Sequence, residues 1–280
     1  MYLKRKADAY LNAWKSDPNR SPLIIKGPRQ VGKTETIDYF AAHNYRSVVE
    51  INFVEEPKYR AITADGYGAD TIVRNISLID PAKKFIPGDT LIFFDEIQAH
   101  PDIATALKFF KIDGKYDVIC SGSMLGISYK QIESNSVGYK TDYEMRSLDF
   151  EEFLWARGYD EAVIESMFTH LCDATPFSEV EMNVFSTAFM DYCVLGGMPA
   201  VVASHIRTGT FEGTLQLQRQ LIFGLPGGYP QIRARTRSGT NSQHVQPYSR
   251  ATRQGKQEVP NQQGCQRSAF QRLSRMRGMA

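Results

Sequence analysis

The stretch Gly27-Pro28-Arg29-Gln30-Val31-Gly32-Lys33-Thr34 follows the apolar run Leu23-Ile24-Ile25. It fits G-x-x-x-x-G-K-[ST], the pattern of a loop between a strand and a helix whose backbone N–H groups surround phosphate oxygens. Its glycines let the backbone turn tightly, and the N-terminus of the following helix adds partial positive charge. The stretch therefore predicts a phosphate-binding loop, or P-loop, and all eight residues are candidates for binding a nucleoside triphosphate.

A second strand-end motif supports this interpretation. The apolar run at residues 90–94 predicts a buried strand, and Asp95 and Glu96 follow it directly. We expect Lys33 to bridge the β- and γ-phosphates, and the Thr34 hydroxyl and the Asp95 carboxylate to hold Mg²⁺, Asp95 directly or through water. Glu96 is the candidate general base for attack by water, with a solvated strand-end acid as the alternative.

A third candidate lies after another short apolar strand, in Cys120-Ser121-Gly122-Ser123. A serine hydroxyl there would lie between the two motifs and could sense the γ-phosphate or position water. We therefore add Ser123 to Lys33 and Glu96 as a catalytic candidate, with Ser121 as the other choice. An ordinary Ser-Gly-Ser turn is the alternative.

The order of the predicted elements indicates an α/β fold with a mostly parallel sheet covered on both faces. After a helix at residues 2–14, predicted strands at 22–25, 47–53, 90–94 and 116–120 alternate with helices at 33–42, 71–79 and 102–111. An irregular hairpin is predicted at 128–145, followed by helices beginning at 150 and at 161–171, 179–195 and 211–223. We predict a nucleotide-binding domain at 1–147, a helical subdomain at 148–223 and a disordered basic tail at 224–280.

The composition is that of an ordinary globular protein. Its 280 residues, 42% of them hydrophobic, suffice for one large or two ordinary domains. The longest mostly apolar stretch, residues 195–203, is far shorter than the roughly 20 residues that cross a bilayer. We therefore expect a cytoplasmic protein with no membrane partner. The four cysteines lie far apart without a C-x-x-C pair and give no support for a zinc site.

Several short motifs occur in succession along residues 1–222. They are K-G-P-R-Q-V-G-K-T at the P-loop, D-E-I-Q at 95–98, A-L-K-F-F at 106–110, S-G-S-M-L-G at 121–126, V-G-Y at 137–139, L-D-F-E-E-F-L at 148–154 and G-G-M-P at 196–199. This succession resembles that of prokaryotic AAA-type ATPases of the ASCE P-loop group that carry a C-terminal DUF4143 domain. The resemblance implies ATP rather than GTP, and the chain has no N-K-x-D guanine motif.

The resemblance does not assign the arginine that assists hydrolysis. Many members of the family have arginine where this chain has Tyr139. Such an arginine finger raises the rate about 10³- to 10⁵-fold, so slow turnover is expected without one. Arg29, Arg146 and Arg207 are alternatives that the sequence does not rank.

We expect a Mg²⁺-dependent ATPase in which hydrolysis drives a conformational switch. The alternative is a nucleotide-gated binding protein, with DNA or a protein as its partner, that holds ATP and scarcely hydrolyses it. A P-loop kinase acting on a small molecule is a weaker alternative, because no arginine-rich lid pattern follows the fourth strand. The sequence identifies neither the partner nor the oligomeric state.

The tail differs chemically from the rest of the chain. From Phe223 onward it holds nine arginines and one lysine against a single acid, Glu258, and the resemblance stops there. Read one nucleotide later with permitted codons, the chain from Gly224 gives D-Y-R-E-D-I-R-K-Y, which resembles the family continuation D-Y-x-x-D-I-x-K-Y. We therefore expect a reading-frame error that replaces the DUF4143 region, with a true disordered basic arm as the alternative.

Sequencing the gene around the codon for Phe223 tests the frame hypothesis. We expect a one-nucleotide difference that restores the family-like continuation. Source DNA that encodes Gly224 and the following residues in the same frame would contradict the hypothesis and favour the basic arm.

Overall fold

Five parallel strands form the central sheet. The computed structural model describes residues 1–123 and 138–223. Within them the strands are β1 (Leu23–Gly27), β2 (Ser47–Asn52), β3 (Thr90–Asp95), β4 (Asp117–Ser123) and β5 (Thr141–Glu144). Their order across the sheet is β2-β3-β4-β1-β5, and every pairing is parallel. The predicted α/β class is confirmed.

Helices cover both faces of this sheet, as the alternation of elements predicts. They are α1 (Lys6–Ser16), α2 (Lys33–Asn44), α3 (Ala69–Ile79) and α4 (Ile103–Asp113), with short 3-10 turns at Pro57–Thr63 and Ile97–Ala99. The predicted strands and helices up to β4 are present, with shifts of a few residues at their ends. These ends are the least certain part of a prediction from sequence.

Alternate residues of each strand supply two separate cores, because side chains in a strand point to opposite faces. Ile24 of β1 lies in the core that contains residues of α3 and α4. Its neighbours Leu23 and Ile25 lie in the other core, with residues of α1 and α2. The same alternation holds in β3 between Phe94 and Phe93. The result is a three-layer sandwich with the P-loop at the end of β1, which is buried except at Lys26.

One strand next to β1 was not predicted. Residues 128–145 were expected to form an irregular hairpin, but β5 runs parallel to β1, with Leu23 opposite Thr141 and Lys26 opposite Glu144. A parallel pair cannot be joined by a tight turn, so the partner of β5 is a distant strand rather than a local one. Its four residues, Thr-Asp-Tyr-Glu, alternate between partly buried and exposed positions, which gives only a weak strand signal. The rest of the predicted hairpin, up to residue 137, lies outside the described residues.

The elements described after Asp149 are helices, as predicted, but the one at Pro199–Thr208 was not among the four expected. They are α5 (Phe150–Ala156), α6 (Glu161–Asp173), α7 (Glu179–Leu195), α8 (Pro199–Thr208) and α9 (Thr214–Phe223). The chain divides into two compact units, and α5 and α8 belong to the same unit as the sheet, which comprises Met1–Ala156 and Leu195–Leu215. The other unit contains Arg157–Val194 and continues from Gln216. The predicted domain boundary at 147 stays a prediction, and the tail at 224–280 lies outside the described residues.

Two glycines in the first unit allow very close backbone approaches. A β-carbon on Gly27, the last residue of β1, would lie 2.0 Å from the carbonyl oxygen of Met145. One on Gly197, just before α8, would lie 2.1 Å from the carbonyl oxygen of Leu148, and the Leu148 N–H donates to the Gly197 carbonyl at 2.8 Å. The G-G-M-P and L-D-F-E-E-F-L segments are therefore joined directly through their backbones.

Replacing Gly197 with alanine should destabilise this junction. The methyl group would have to push two backbone segments apart, and overpacking of this kind costs about 1–3 kcal/mol. The free energy of unfolding measured by urea denaturation should fall by that amount.

Gly68→Ala is the matched control. A β-carbon on Gly68 would meet its nearest neighbour, the Thr71 hydroxyl oxygen, at an ordinary 3.5 Å. Alanine caps the helix less well than glycine, which destabilises the variant, but it also lowers the conformational entropy of the unfolded chain, which stabilises it. The two effects should largely offset each other. Equal losses in the two variants would contradict the close contact at Gly197.

Candidate functional site

The P-loop connects β1 to α2 with the expected backbone geometry. Gly32 precedes the first residue of α2 and has φ 88°, ψ 24°, in the left-handed region that glycine adopts without strain. Gln30 also has a positive φ, 65°. The N–H of Thr36 donates to the Gly32 carbonyl and begins the hydrogen-bond ladder of the helix. The candidate binding residues Gly27, Pro28, Arg29, Gln30, Val31, Gly32, Lys33 and Thr34 thus form one turn around the helix N-terminus.

Lys33 lies inside this turn. Its ammonium donates to the carbonyl oxygens of Gly27 at 3.0 Å and Pro28 at 2.7 Å, and the residue is only 9% exposed. Burial lowers the pKa of Lys33, while the charges of Glu96 and Asp95 oppose that shift. The cation is therefore held among the loop's own carbonyls, beside the two carboxylates of the second motif.

Asp95 ends β3 and is 5% exposed. One of its oxygens, Oδ2, accepts from the Thr34 hydroxyl at 3.2 Å and from the Asn52 amide at 3.4 Å. The other, Oδ1, accepts from the N–H of Glu96 at 2.9 Å and from the Ser121 hydroxyl. Four donors from different segments thus fix the carboxylate at the carboxyl edge of the sheet.

Thr34 and Asp95, the predicted metal ligands, are brought together by this arrangement. A hydroxyl and a carboxylate are hard oxygen ligands of the kind that Mg²⁺ takes, usually together with water and substrate phosphates. In the part of the chain that the structure describes, no group of three His, Cys, Asp or Glu side chains is placed to hold a metal ion. The donor set therefore fits an ion shared with a phosphate.

Further acidic side chains add negative charge beside Asp95. The pKa values of Asp38 and Glu50 are raised, mainly by burial and then by nearby carboxylates that include Asp95. A cation at Asp95 would relieve this repulsion.

Glu96 follows with a left-handed backbone, φ 53° and ψ 46°. This conformation is uncommon for a residue other than glycine and redirects the chain sharply after the strand. The Glu96 carboxylate accepts a hydrogen bond from the amide nitrogen of Gln98. The Gln98 amide oxygen is buried without a hydrogen-bond partner among the described residues, and a β-carbon on Gly122 would lie 2.9 Å from it. Gly122 thus leaves the space in which Gln98 reaches Glu96.

The two candidate serines of β4 have different surroundings. Ser121 donates to Asp95, because the register that pairs Phe94 with Cys120 also brings these next two residues side by side. Ser123, the predicted catalytic serine, is buried and pairs with Gly27 at the start of the P-loop. Its catalytic role stays a prediction.

Two cavities adjoin the P-loop within the first unit. The larger, about 400 Å³, contains the predicted machinery together with Asn52 and Glu55; its lining includes Arg29, Lys33, Thr34, Asp95 and Glu96. The smaller, about 290 Å³, has a mainly apolar lining formed by Met1, Leu3, Gln30, Gly32, Glu35, Pro199, Ala200 and Ala203. Gln30, Gly32 and Glu35 line both, so the two cavities are neighbours at the loop.

The candidate arginines are placed differently. Arg29 lines the larger cavity. Arg146 is exposed and forms an ion pair with Glu144 at 3.1 Å, and Arg207 lies in the last turn of α8. Tyr139 has the Lys108 ammonium 5.1 Å from its ring centre. Of the three candidate arginines, Arg29 is therefore the one that lines the larger cavity.

Residues 19–154 match a family model described as an AAA domain. The match supports an AAA-type ATPase family. It covers the P-loop, the Asp95-Glu96 pair and all five strands, and it supports a nucleotide-binding, ATPase-like function. No curated protein sequence matches the chain.

Two solved structures are similar to the chain at low sequence identity. A structure of C. elegans PCH-2 is 12% identical, with 81% of this chain and 65% of that chain covered and a TM-score of 0.35. A structure of Drosophila ORC bound to DNA is 14% identical, with 85% of this chain and 68% of that chain covered and a TM-score of 0.39. The chain thus spans less than two thirds of the length of the PCH-2 chain.

A membrane-spanning helix is not found in the described part of the chain, where none combines the required length with sufficient apolar character.

Sequence reasoning missed three polar residues at the site. Asn52 contacts Asp95, Gln98 contacts Glu96, and Arg5 contacts the P-loop carbonyl of Val31. The ends of neighbouring parallel strands meet at one edge, so the position of Asn52 at the end of β2 was a usable signal. Nothing local in the sequence marks Arg5.

Removing the Ser121 hydroxyl should destabilise the buried Asp95 carboxylate. Ser121→Ala leaves Asp95 with one donor fewer, and a hydrogen bond to a charged group contributes about 1.5–3 kcal/mol. Urea denaturation should show a loss of that size.

Ser77→Ala is the control for Ser121→Ala, since among the described residues the Ser77 hydroxyl bonds only the Val73 carbonyl within α3. Its free energy of unfolding should change by less than about 0.5 kcal/mol. A Ser121→Ala variant as stable as this control would argue against the contact with Asp95.

Proposed function

We propose that this protein binds ATP with Mg²⁺ and hydrolyses it. One observation carries the proposal: the Lys33 ammonium, the Thr34 hydroxyl and the Asp95 carboxylate lie together in one cavity at the carboxyl edge of the sheet. Triphosphate binding needs a cation, a metal-binding hydroxyl and a metal-binding acid around a ring of backbone N–H groups. This loop supplies all of them.

The smaller cavity favours a nucleotide over inorganic phosphate. Its mainly apolar lining adjoins the P-loop at Gln30, Gly32 and Glu35. A nucleobase presents a flat, largely apolar body that such a cavity can bury. We place the base there, and the family resemblance favours adenine.

In this proposal Lys33 exchanges its bonds to the Gly27 and Pro28 carbonyls for bonds to phosphate oxygens. Thr34 and Asp95 would hold Mg²⁺, which when bound neutralises negative charge on the phosphates. Glu96 accepts the proton of the attacking water. Its Oε2 accepts a hydrogen bond from the Gln98 amide, which leaves Oε1 to receive that proton.

The finer assignments belong to the same proposal. We place the chain among the AAA-type ATPases that carry a DUF4143 domain, with the reading frame changed after Phe223, and in the cytoplasm. Hydrolysis would drive a conformational switch, with the partner protein or DNA unidentified. Arg29 is the arginine best placed to contact the γ-phosphate, since it lines the larger cavity.

The contact between Gln98 and Glu96 also favours a second candidate function. A hydrogen bond from an amide fixes the direction of the Glu96 carboxylate and stabilises its charged form, which favours ATP that is bound and scarcely hydrolysed. The protein would then be a nucleotide-gated binding protein in which the bound nucleotide itself is the signal.

Two variants test the proposed ATPase. Lys33→Ala should abolish stabilisation by ATP and Mg²⁺, which in the parent should reach about 2.7 kcal/mol at a ligand concentration of 100 Kd. Glu96→Gln should keep ATP binding and lose about 10²- to 10⁴-fold in the rate of phosphate release, because it lacks the base. Thermal unfolding and a phosphate-release assay measure these quantities.

Glu55→Gln is the matched control, since Glu55 lines the same cavity without contacting the metal-binding pair in the described structure. Its turnover should stay within a few-fold of the parent. Binding without turnover in both the parent and Glu96→Gln would favour the nucleotide-gated function. A folded parent that does not bind ATP would overturn both functions.

A further inference from the structure

Arg5, the residue before α1, reaches the outer side of the P-loop. Its side chain is 5% exposed and makes three hydrogen bonds to other segments. The Nη1 group donates to the carbonyl oxygen of Val31 at 2.7 Å, Nη2 to that of Arg146 at 2.6 Å, and Nε to the carboxylate of Glu152 at 3.1 Å. A guanidinium has fixed donor directions, so three simultaneous bonds hold it in one orientation.

The bond to Val31 sets the direction of a neighbouring N–H group. No cis peptide is present among the described residues, and in a trans peptide the carbonyl and the following N–H point to opposite sides. With the Val31 carbonyl turned to Arg5, the N–H of Gly32 points away from Arg5. Gly32 lines both cavities beside the loop. Arg5 therefore turns the Gly32 N–H toward the ligand side.

Glu152 is fixed as firmly as Arg5. It is 4% exposed, and its Oε1 also accepts the N–H of Lys6 at 2.7 Å. Its Oε2 accepts the N–H of Asp149, whose own carboxylate accepts the N–H of Glu152 in return. These two reciprocal bonds are a capping box at the start of α5. The second glutamate of L-D-F-E-E-F-L thus caps a helix and binds Arg5 at once.

We propose that Arg5 and Glu152 are a positioning pair for the P-loop, which keeps the Val31–Gly32 peptide oriented so that the Gly32 N–H faces a bound phosphate. The inference rests on the proposed function of the same loop. It assigns a binding role to the start of α1 and to the L-D-F-E-E-F-L segment, neither of which lines the two cavities beside the loop.

A second ion pair in the same unit provides the comparison. Arg20 binds Asp117 through two hydrogen bonds of 2.6 and 2.9 Å, and Asp117 begins β4 at the end of the sheet opposite the P-loop. Arg20 likewise connects a segment near the N-terminus to the body of the domain. Loss of this pair should affect stability without affecting the loop.

The experiment uses titration calorimetry to measure the affinity of the full chain for two ligands, ATP with Mg²⁺ and inorganic tripolyphosphate with Mg²⁺. Thermal unfolding of each variant is measured as well. Arg5→Met should weaken both ligands by the same factor, about tenfold or more, because a phosphate contact is lost from each. Arg5→Lys and Glu152→Gln should weaken both by smaller factors, since each keeps part of the network. Arg20→Met should lower the unfolding temperature and leave both affinities unchanged.

Ala203→Phe distinguishes the effect of the smaller cavity on binding from the effect of the loop. Filling that cavity should weaken ATP and leave tripolyphosphate unchanged, the opposite of the common loss expected for Arg5→Met. If Arg5→Met does not fold, the same comparison is made with Arg5→Lys and Glu152→Gln.

Each outcome has a defined meaning. Parent-like tripolyphosphate affinity in the Arg5 and Glu152 variants would overturn the positioning pair and leave the proposed function intact. Equal affinity losses in Arg5→Met and Arg20→Met would overturn it as well, since they would reflect stability alone. A folded parent that binds neither ligand would overturn the proposed function, and the positioning pair with it.

Discussion

A loop that gathers backbone N–H groups toward one point has to turn its carbonyl oxygens elsewhere, and buried carbonyls need donors. Two basic side chains are among the donors around this P-loop. Lys33 bonds the Gly27 and Pro28 carbonyls from inside, and Arg5 bonds the Val31 carbonyl from outside. The rest of the site depends on this constraint, because it fixes where the ammonium, the helix start and the neighbouring strand ends lie.

Most of the fold could be predicted from the sequence because its signals are local. The P-loop pattern, the apolar run before Asp95 and the alternation of strands and helices each occupy a short stretch. β5 was missed because four mostly polar residues carry little strand signal, and its partner β1 lies more than a hundred residues earlier in the chain. Strands of this kind are defined by the sheet edge that they join.

The site was predictable to a similar degree. Lys33, Thr34 and Asp95 come together as expected, because the motifs themselves specify strand ends and a helix start. The choice between Ser121 and Ser123 depends on register, which aligns Ser121 with Asp95 and Ser123 with Gly27. Arg5 and Gln98 depend on contacts that no local pattern specifies.

The two carbonyl bonds of Lys33 have a consequence for which anions the loop can hold. Two of the three ammonium donors are already used, so an arriving anion competes with the chain itself for part of that charge. Chloride or a lone orthophosphate offers little in exchange. A longer polyphosphate gains contacts along the whole turn and at the helix start, and these offset the exchange. In the proposed function, selection by ligand length would thus follow from competition with the loop's own carbonyls.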